Sequence, residues 1–233
     1  MTLKFTAVAA ACAVAGAALA NPFFIRGSWH GWGSAGQTPM VDQGDGRWTA
    51  TLDTTVLGTV KREMKATNED WSFSGPAHNL SVKLAEGQSI TVTFWPDSPF
   101  GVGWVPGAGP RVGVDDWRYF GWELMGSFNG WSAPLAMNDL GNGLFHTTVN
   151  FAAGDVEFKF RKIGDWDVAW GSDGGDGPNI LYTVGAEEAV LGTNIWFDRA
   201  NGVYKVEAVP EPASMLALAV GAGLVALRRR RRS

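Results

Sequence analysis

Short runs with an apolar residue at every second position recur along the chain, and segments rich in Gly, Pro, Asn and Asp separate them. Alternation of this kind buries one side of a strand and leaves the other in solvent, as in antiparallel sheets with one buried face. Helical periodicity is nearly absent between residues 21 and 208. The pattern therefore predicts an all-β fold, with strands at Trp48, Ala50, Leu52; at Ile90, Val92, Phe94; at Phe145, Thr147, Val149, Phe151; and at Val156, Phe158, Phe160.

The chain also repeats itself after about a hundred residues. Residues 25–32 (IRGSWHGW) match residues 124–131 (LMGSFNGW). A proline with a methionine close after it (39–40 and 134–137), a Gly-rich turn, a Glu-x-Lys strand and an Asp-Trp pair follow each in the same order. Ordered matches at nearly constant spacing indicate a duplication, and this period suits a sandwich domain. We predict two tandem immunoglobulin-like antiparallel β-sandwiches, a first repeat at 21–95 and a second at 115–208, and expect the second to fold alone.

The segment between the repeats, residues 96–114, contains four prolines and five glycines. Proline lacks the N–H that a central strand must donate, so this composition predicts a linker with at most an edge strand near residues 100–105.

Residues 1–20 are typical of a secretory signal peptide. Lys4 precedes an apolar run, and Ala18 and Ala20 supply the small side chains that signal peptidase requires before its cut. Cleavage there would remove Cys12, the only cysteine, and leave a protein without disulfides or thiolate ligands. Lipid attachment at Cys12 is the alternative, although the usual leucine before the cysteine is missing.

The C-terminal segment, residues 209–233, joins three features. Pro210, Glu211 and Pro212 precede an apolar run at 213–227, and arginines follow at 228–232. Fifteen apolar residues form a helix of about 22 Å, shorter than a hydrocarbon core of about 30 Å, and the arginines favour the cytoplasmic side. An ordinary tail anchor has a similar build. The order of the three features resembles the PEP-CTERM sorting signal, which implies a membrane helix, exosortase processing, transient anchoring in the inner membrane of a Gram-negative bacterium, and release to its surface or extracellular matrix.

Charge changes the picture once these ends are set aside. Six of the 19 basic residues (Lys4 and the five terminal arginines) and one of the 23 acidic residues (Glu211) lie there, which leaves 13 basic against 22 acidic residues, a net charge of −9. Nucleic acid, which attracts a basic patch, is not an expected partner.

Catalytic material is scarce in the sequence. His30, His78 and His146 lack metal-ligand spacing, and we expect them to be solvated surface residues. The loop at 171–177 has carboxylates and carbonyls for calcium but not the EF-hand pattern, so a solvated loop is favoured. We expect no cofactor, no metal and no enzyme activity; a hydrolase would need an acid–base pair that the sequence does not single out.

Tryptophan is unusually abundant, with 12 in 233 residues. An exposed indole can stack on the apolar C–H face of a sugar ring while nearby polar groups bind its hydroxyls, but the same residue can equally well pack in a core. The candidates follow Gly, Asp or Ala in turn-like contexts: Trp32, Trp71, Trp131, Trp166 and Trp170.

The second repeat resembles a known module over nearly its whole length. The residues that carry the resemblance are the motif at 126–131, Pro134, the strand at 153–160 and the turn at 164–166. They are similar to the starch- and glycogen-binding β-sandwiches of the AMP-activated kinase β-subunit, of pullulanase accessory domains and of the SusE/SusF proteins. This resemblance implies polysaccharide contacts through Trp131, Lys159, Trp166 and Asn194.

The first repeat keeps Trp32, Lys65 and Trp71 but departs from the module elsewhere, with Trp29-His30 in place of Phe-Asn. The leading hypothesis is a non-catalytic surface protein that binds an α-glucan or an exopolysaccharide. The alternative is a structural matrix or envelope protein that uses the same sandwiches for protein contacts.

Overall fold

The computed structural model describes residues 22–97, 103–106, 110–172 and 174–211. The all-β prediction is confirmed: antiparallel strands dominate this part of the chain, with short helices at Thr54–Leu57 (α1) and Ala186–Leu191 (α2). The predicted signal peptide with Ala18 and Ala20, the end of the sorting motif at Pro212 and the apolar run at 213–227 lie outside the described residues. No helix within those residues is long and apolar enough to cross a membrane.

The first repeat forms two four-stranded antiparallel sheets. Sheet 1A has the order β2-β1-β5-β6 and sheet 1B the order β3-β4-β7-β9. Their strands are β1 (Phe24–Gly27), β2 (Thr38–Pro39), β3 (Val41–Asp42), β4 (Trp48–Asp53), β5 (Arg62–Thr67), β6 (Ser74–Val82), β7 (Ser89–Trp95) and β9 (Arg111–Val114).

The second repeat keeps the same order for four strands of each sheet and adds a fifth strand to each. Sheet 2A runs β11-β10-β14-β15, with β16 also paired to β14, and sheet 2B runs β12-β13-β17-β18-β8. Their strands are β8 (Val105–Pro106), β10 (Trp122–Gly126), β11 (Leu135–Ala136), β12 (Asn138–Asp139), β13 (Leu144–Val149), β14 (Gly154–Lys162), β15 (Asp165–Trp170), β16 (Ile180–Val184), β17 (Thr193–Asp198) and β18 (Val203–Ala208).

The alternation seen in the sequence sets which side of each sheet is buried. In β7, Ile90, Val92 and Phe94 are fully buried while the residues between them are only partly so. In the second repeat, Phe160 of β14 stacks on Phe197 of β17 with ring centroids 4.3 Å apart. The buried sides of sheets 2A and 2B therefore face each other across one aromatic core.

The segment between the repeats carries two strands, both at sheet edges. β8 pairs with β18 of the second repeat, and β9 pairs with β7 of the first. Residues 96–114 therefore hold edge strands, as proline placement allows, but they contribute to both repeats rather than only joining them. The division into two independent domains stays a prediction.

A buried ion pair lies where the repeats meet. Arg199 follows the end of β17 and is fully buried. Its Nε donates to Asp116 Oδ1 at 2.9 Å, and its Nη2 donates to Asp116 Oδ2 at 2.7 Å. Its Nη2 also reaches the Ser81 carbonyl of β6 at 3.3 Å. The Arg199 guanidinium lies 5.0 Å from the ring of Trp122 and 5.4 Å from that of Trp170. The ion pair and both rings belong to the second repeat, and the hydrogen bond to the Ser81 carbonyl attaches this buried charge to the first.

Candidate functional site

A tight turn after β10 positions the first aromatic residue of the second repeat. A 3-10 turn at Ser127–Asn129 ends in Gly130 at φ 61°, and Trp131 follows at φ 59°. Asn129 Oδ1 accepts from Gly126 N at 3.0 Å and from Trp131 N at 3.2 Å, and Trp131 N also reaches the Gly126 carbonyl at 3.0 Å. A tryptophan in the left-handed region costs roughly 1–2 kcal/mol, which these hydrogen bonds offset.

The first repeat builds the same turn with a different cap. Gly31 and Trp32 both have φ 65°, and Trp32 N donates to the Gly27 carbonyl at 3.1 Å. Here His30 Nε2, in place of the asparagine amide oxygen, accepts from Gly27 N at 3.2 Å. His30 therefore stabilises the turn, whereas the sequence pattern predicted only a solvated surface residue.

The position before each turn has no room for a side chain and therefore requires glycine. A Cβ on Gly126 would collide with the Glu157 carbonyl and lie 2.8 Å from the ring of Phe128. A Cβ on Gly27 would meet the Trp29 ring and the Glu63 carbonyl in the same way. The Gly-Ser pair of the repeated motif thus lets the turn lie close against the neighbouring strand.

A second tryptophan reaches each turn from another strand connection. Trp166 lies at the start of β15, after Gly164 at φ 72°, and Trp71 lies between β5 and β6 at φ 63°. The rings of Trp131 and Trp166 have centroids 6.2 Å apart and planes inclined at 42°; those of Trp32 and Trp71 are 6.3 Å apart at 51°. Trp166 remains 43% exposed and Trp71 38% exposed. We call Trp32 with Trp71 the first tryptophan pair, and Trp131 with Trp166 the second.

An arginine supports the exposed ring of the second pair. Arg161 of β14 places its Cζ 4.5 Å from the Trp166 ring centroid. Its Nε donates to Glu123 Oε1 at 2.6 Å, and its Nη2 donates to the same oxygen. Gly164 N also donates to Glu123 Oε1, at 3.0 Å. Since Arg161 and Glu123 are both buried, they fix the guanidinium and the turn that carries Trp166.

The first pair has the same support from a different strand. Arg26 of β1 lies 5.1 Å from the Trp71 ring centroid and is 2% exposed. It donates from Nε to Gln37 Oε1 and from Nη2 to the Glu69 carbonyl, both at 2.8 Å. Alignment of the two repeats did not indicate either arginine, because Arg26 and Arg161 lie in strands that are not equivalent. The only available signal was a basic residue within an otherwise buried run.

Each predicted lysine lies on the same side of its sheet as the arginine that supports a tryptophan pair. Lys159 is on the same side of β14 as Arg161, with its Nζ 3.7 Å from Asp176 Oδ1. Lys65 lies directly across the β1–β5 ladder from Arg26 and donates from Nζ to the Ala77 carbonyl at 2.6 Å. Each ammonium group retains further N–H donors.

Asn194 is not brought together with the other predicted residues. It lies in β17 of sheet 2B, where its Oδ1 accepts from Thr148 Oγ1 at 2.8 Å and lies 3.2 Å from His146 Nε2. The second tryptophan pair and Lys159 belong to sheet 2A. Trp170 is also apart from the pairs, because it is a core residue with 1% exposure.

Asp176, in the loop at 171–177, contacts residues of the first repeat. Asp176 Oδ2 lies 3.0 Å from Lys61 Nζ, and its backbone N donates to the Asn79 carbonyl at 3.0 Å. The part of the chain that the structure describes contains no group of three His, Cys, Asp or Glu side chains that could hold a metal ion.

Two carboxylates flank Trp166 and face a lysine of the first repeat. Lys83 Nζ lies 3.2 Å from Asp165 Oδ2 and 2.6 Å from Asp167 Oδ2. Burial alone would raise the pKa of Asp165, but hydrogen bonds from Asp167 N, Lys162 and Lys83 outweigh it and hold that pKa below its ordinary value. The pKa of Lys83 is raised, first by Asp167 and then by Asp165. The first repeat therefore helps to hold the turn that carries Trp166.

The C-terminal motif begins where the folded part ends. Val209 N donates to the Gly192 carbonyl at 2.9 Å, and Pro210 and Glu211 after it are exposed. A family model for the PEP-CTERM protein-sorting motif matches residues 208–232, which confirms the predicted signal. The motif implies export, transient anchoring in the membrane and sorting to the surface.

Two further comparisons add little. A search of curated proteins finds no match. The solved structure of SusF from Bacteroides thetaiotaomicron is similar over 82% of this chain at 13% sequence identity, with a TM-score of 0.29. The chain spans about half of that protein, 49% of its length.

Proposed function

We propose that this chain is an exported, surface-sorted and non-catalytic protein that binds an α-glucan or an exopolysaccharide through its tryptophan pairs. The observation that carries the proposal is the recurrence of one arrangement in both repeats. Each repeat has two indoles about 6 Å apart, one of them more than a third exposed and stacked against a buried arginine.

The arrangement suits sugar rings for a physical reason. A pyranose presents C–H groups on its faces, and an indole held in a fixed orientation can stack on them with little further loss of entropy. The buried arginine behind Trp166 limits the movement of that ring, and the arginine behind Trp71 does the same. Lys159 and Lys65 have N–H donors for hydroxyl groups beside the rings.

Backbone strain supports a binding role over simple packing. Three of the four paired tryptophans (Trp32, Trp71 and Trp131) have φ between 59° and 65°. Glycine would adopt this conformation at lower cost, so the surrounding structure must enforce it for an aromatic side chain. Strained residues of this kind cluster at ligand sites, whereas core packing can be achieved without the strain.

We propose further that each repeat is an immunoglobulin-like sandwich, and that an exosortase in the inner membrane processes the tail. Aromatic contacts between sheets 2A and 2B, and the order of four equivalent strands that the sheets of both repeats share, support the first point. The matched sorting motif supports the second. An intact-mass measurement on protein from its native host should show loss of the residues after about Pro212; a membrane-embedded chain ending at Ser233 would contradict it.

Binding is tested by retention on a glycogen gel. Aromatic stacking with few hydrogen bonds predicts weak affinity, with a Kd of roughly 0.1–1 mM. Trp166→Ala should reduce retention strongly and leave the unfolding midpoint nearly unchanged, because this ring contributes little to the core. The matched control is Trp196→Ala, which removes a partly exposed indole from sheet 2B and should not alter retention.

The same variants distinguish the other outcomes. If Trp166→Ala unfolds the protein, the ring is a packing residue and the matrix-protein alternative is favoured. If the unaltered protein is not retained by glycogen but binds exopolysaccharide from its host, the proposed site stands and its ligand is the exopolysaccharide. No retention on either material would contradict the proposal.

A further inference from the structure

The second tryptophan pair and the first belong to sheets that lie side by side. β6 is the edge strand of sheet 1A and β15 an edge strand of sheet 2A, and the two strands contact each other. Lys83, just after β6, contacts Asp165 and Asp167 at the start of β15. Asn79 of β6 accepts from Asp176, which follows the end of β15. The two strands therefore run antiparallel across the boundary between the repeats.

The outward sides of these two sheets point the same way. Lys61 precedes β5 of sheet 1A, and Lys159 belongs to β14 of sheet 2A; both reach the carboxylate of Asp176, at 3.0 and 3.7 Å. Asn79 Nδ2 donates to Glu63 Oε2 at 2.8 Å on the same side. We call the combined outward side of sheets 1A and 2A the joint face.

Both tryptophan pairs lie on the joint face. Arg26, which supports Trp71, is in register with Lys65, and Lys65 contacts Ala77 of β6. Arg161, on the same side of β14 as Lys159, supports Trp166, and the two neighbours of Trp166 in sequence, Asp165 and Asp167, contact Lys83. Along the strand direction, Ala77 marks the first pair and Lys83 the second, and these positions are six residues apart. Across the strands, four spacings separate β1, which supports the first pair, from β14, which supports the second. At about 3.3 Å per residue and about 4.8 Å per spacing, the pairs are on the order of 20–30 Å apart.

The connection between the pairs is rigid. The buried Arg199–Asp116 pair, with its contact to the Ser81 carbonyl, joins the second repeat to β6 itself. A Cβ on Gly113 of β9 would collide with the Ala200 carbonyl, so the backbones of the two repeats are in close contact there. A fixed spacing between two weak sites is the condition under which one ligand can occupy both with little extra ordering cost.

We infer that the two tryptophan pairs bind a single glucan chain at the same time, with the joint face between them as its track. The inference rests on the proposed function, and it deepens that function by specifying the ligand as a chain long enough to span both pairs. A short oligosaccharide occupies each pair separately. A longer chain, once bound at one pair, meets the other at an effective concentration near the millimolar range and is held about tenfold more tightly.

Isothermal titration of the full-length protein with two linear probes tests the inference. Maltotriose should bind with two molecules per protein. An amylose fragment long enough to span the joint face should bind with one molecule per protein, about tenfold more tightly. Trp71→Ala and Trp166→Ala should each leave one maltotriose site and reduce the affinity for the amylose fragment to the level of maltotriose. Trp71→Gly is the second variant at that position, because glycine suits φ 63° and removes the ring without backbone strain.

Failure of the shared track and failure of sugar binding give different results in these titrations. Two amylose fragments per protein, each bound as weakly as maltotriose, would overturn the shared track and leave sugar binding by each pair intact. A single maltotriose per unaltered protein would likewise overturn it, because only one pair would bind. Absence of any maltotriose binding would overturn the proposal of an α-glucan ligand along with this inference.

Discussion

The two repeats reach the same aromatic geometry by different routes. In the second repeat, Asn129 caps the turn and an arginine from β14 supports the exposed ring. In the first repeat, His30 caps the turn and an arginine from β1 supports the ring. The ring separations nevertheless agree, at 6.2 and 6.3 Å. The comparison shows that the pair itself is the feature common to both repeats, and that its supports can be exchanged.

The largest effect is expected where the repeats meet. Arg199→Met would leave Asp116 charged and buried without its partner, which typically costs about 3–5 kcal/mol. Urea unfolding should report this loss. The control is Arg118→Met, which removes a partly exposed arginine from the same 3-10 turn as Asp116 and should have little effect. Equal stability of Arg199→Met and the unaltered protein would show that this buried ion pair does not stabilise the fold.

Replacement of the motif glycines is expected to lower the free energy of unfolding by a smaller but still large amount. Gly126→Ala and Gly27→Ala each place a Cβ against a backbone carbonyl and an aromatic ring, and overpacking of this kind costs about 1–3 kcal/mol. Urea unfolding checks both variants, and Gly130→Ala, where a Cβ would contact only Ser132 Oγ at 3.8 Å, separates steric collision from the cost of a left-handed residue. If only one of the two motif glycines proves sensitive, the two turns are not equivalent.

The side chains that cap the two turns can be exchanged between the repeats. His30→Asn should stabilise the first repeat by about 0.5–1 kcal/mol, because an asparagine amide can also donate to nearby carbonyls, as Asn129 Nδ2 does to Ala133 O at 2.6 Å. The reverse change, Asn129→His, should cost a similar amount. Thermal unfolding of both variants measures the difference. Opposite signs would mean that the histidine makes contacts in its turn that an asparagine cannot replace.

The smallest effect is expected at Lys83, whose ion pairs are partly exposed. Because the pKa of Asp165 is lowered in the folded state, its contribution to stability is present above the ordinary value of 3.8 and is lost as the pH falls through the folded value. Lys83→Met should therefore lower the unfolding midpoint slightly at neutral pH and have no effect in strong acid. A difference that persists undiminished in acid would assign the effect to packing of the lysine stem.

Much of the fold follows from local patterns in the sequence. Period-two alternation identified the strands around Phe94 and Phe160, and the repeated motif placed Trp131 and Trp166 in equivalent turns to Trp32 and Trp71. These features depend on neighbours in sequence or on a single ladder, which is why residue spacing reveals them.

Features that depend on the assignment of strands to sheets were not accessible in the same way. Asn194 sits in an alternating strand, but alternation does not tell which of two sheets that strand joins, and the structure assigns it to sheet 2B. The support of Trp166 by Arg161, and the contacts of β8 and β9 with different repeats, require the register of several strands together. A sequence pattern gives each strand separately and leaves those registers open.

Binding through the tryptophan pairs requires that the four paired indoles contact sugar. The most direct measurement is a two-dimensional NMR titration that follows the indole N–H signals as maltotriose or fragments of the host exopolysaccharide are added. The indole signals of the paired residues Trp32, Trp71, Trp131 and Trp166 should shift. Those of the buried Trp122 and Trp170 should stay in place. Shifts confined to other tryptophans, or no shift with either ligand, would contradict binding through these pairs.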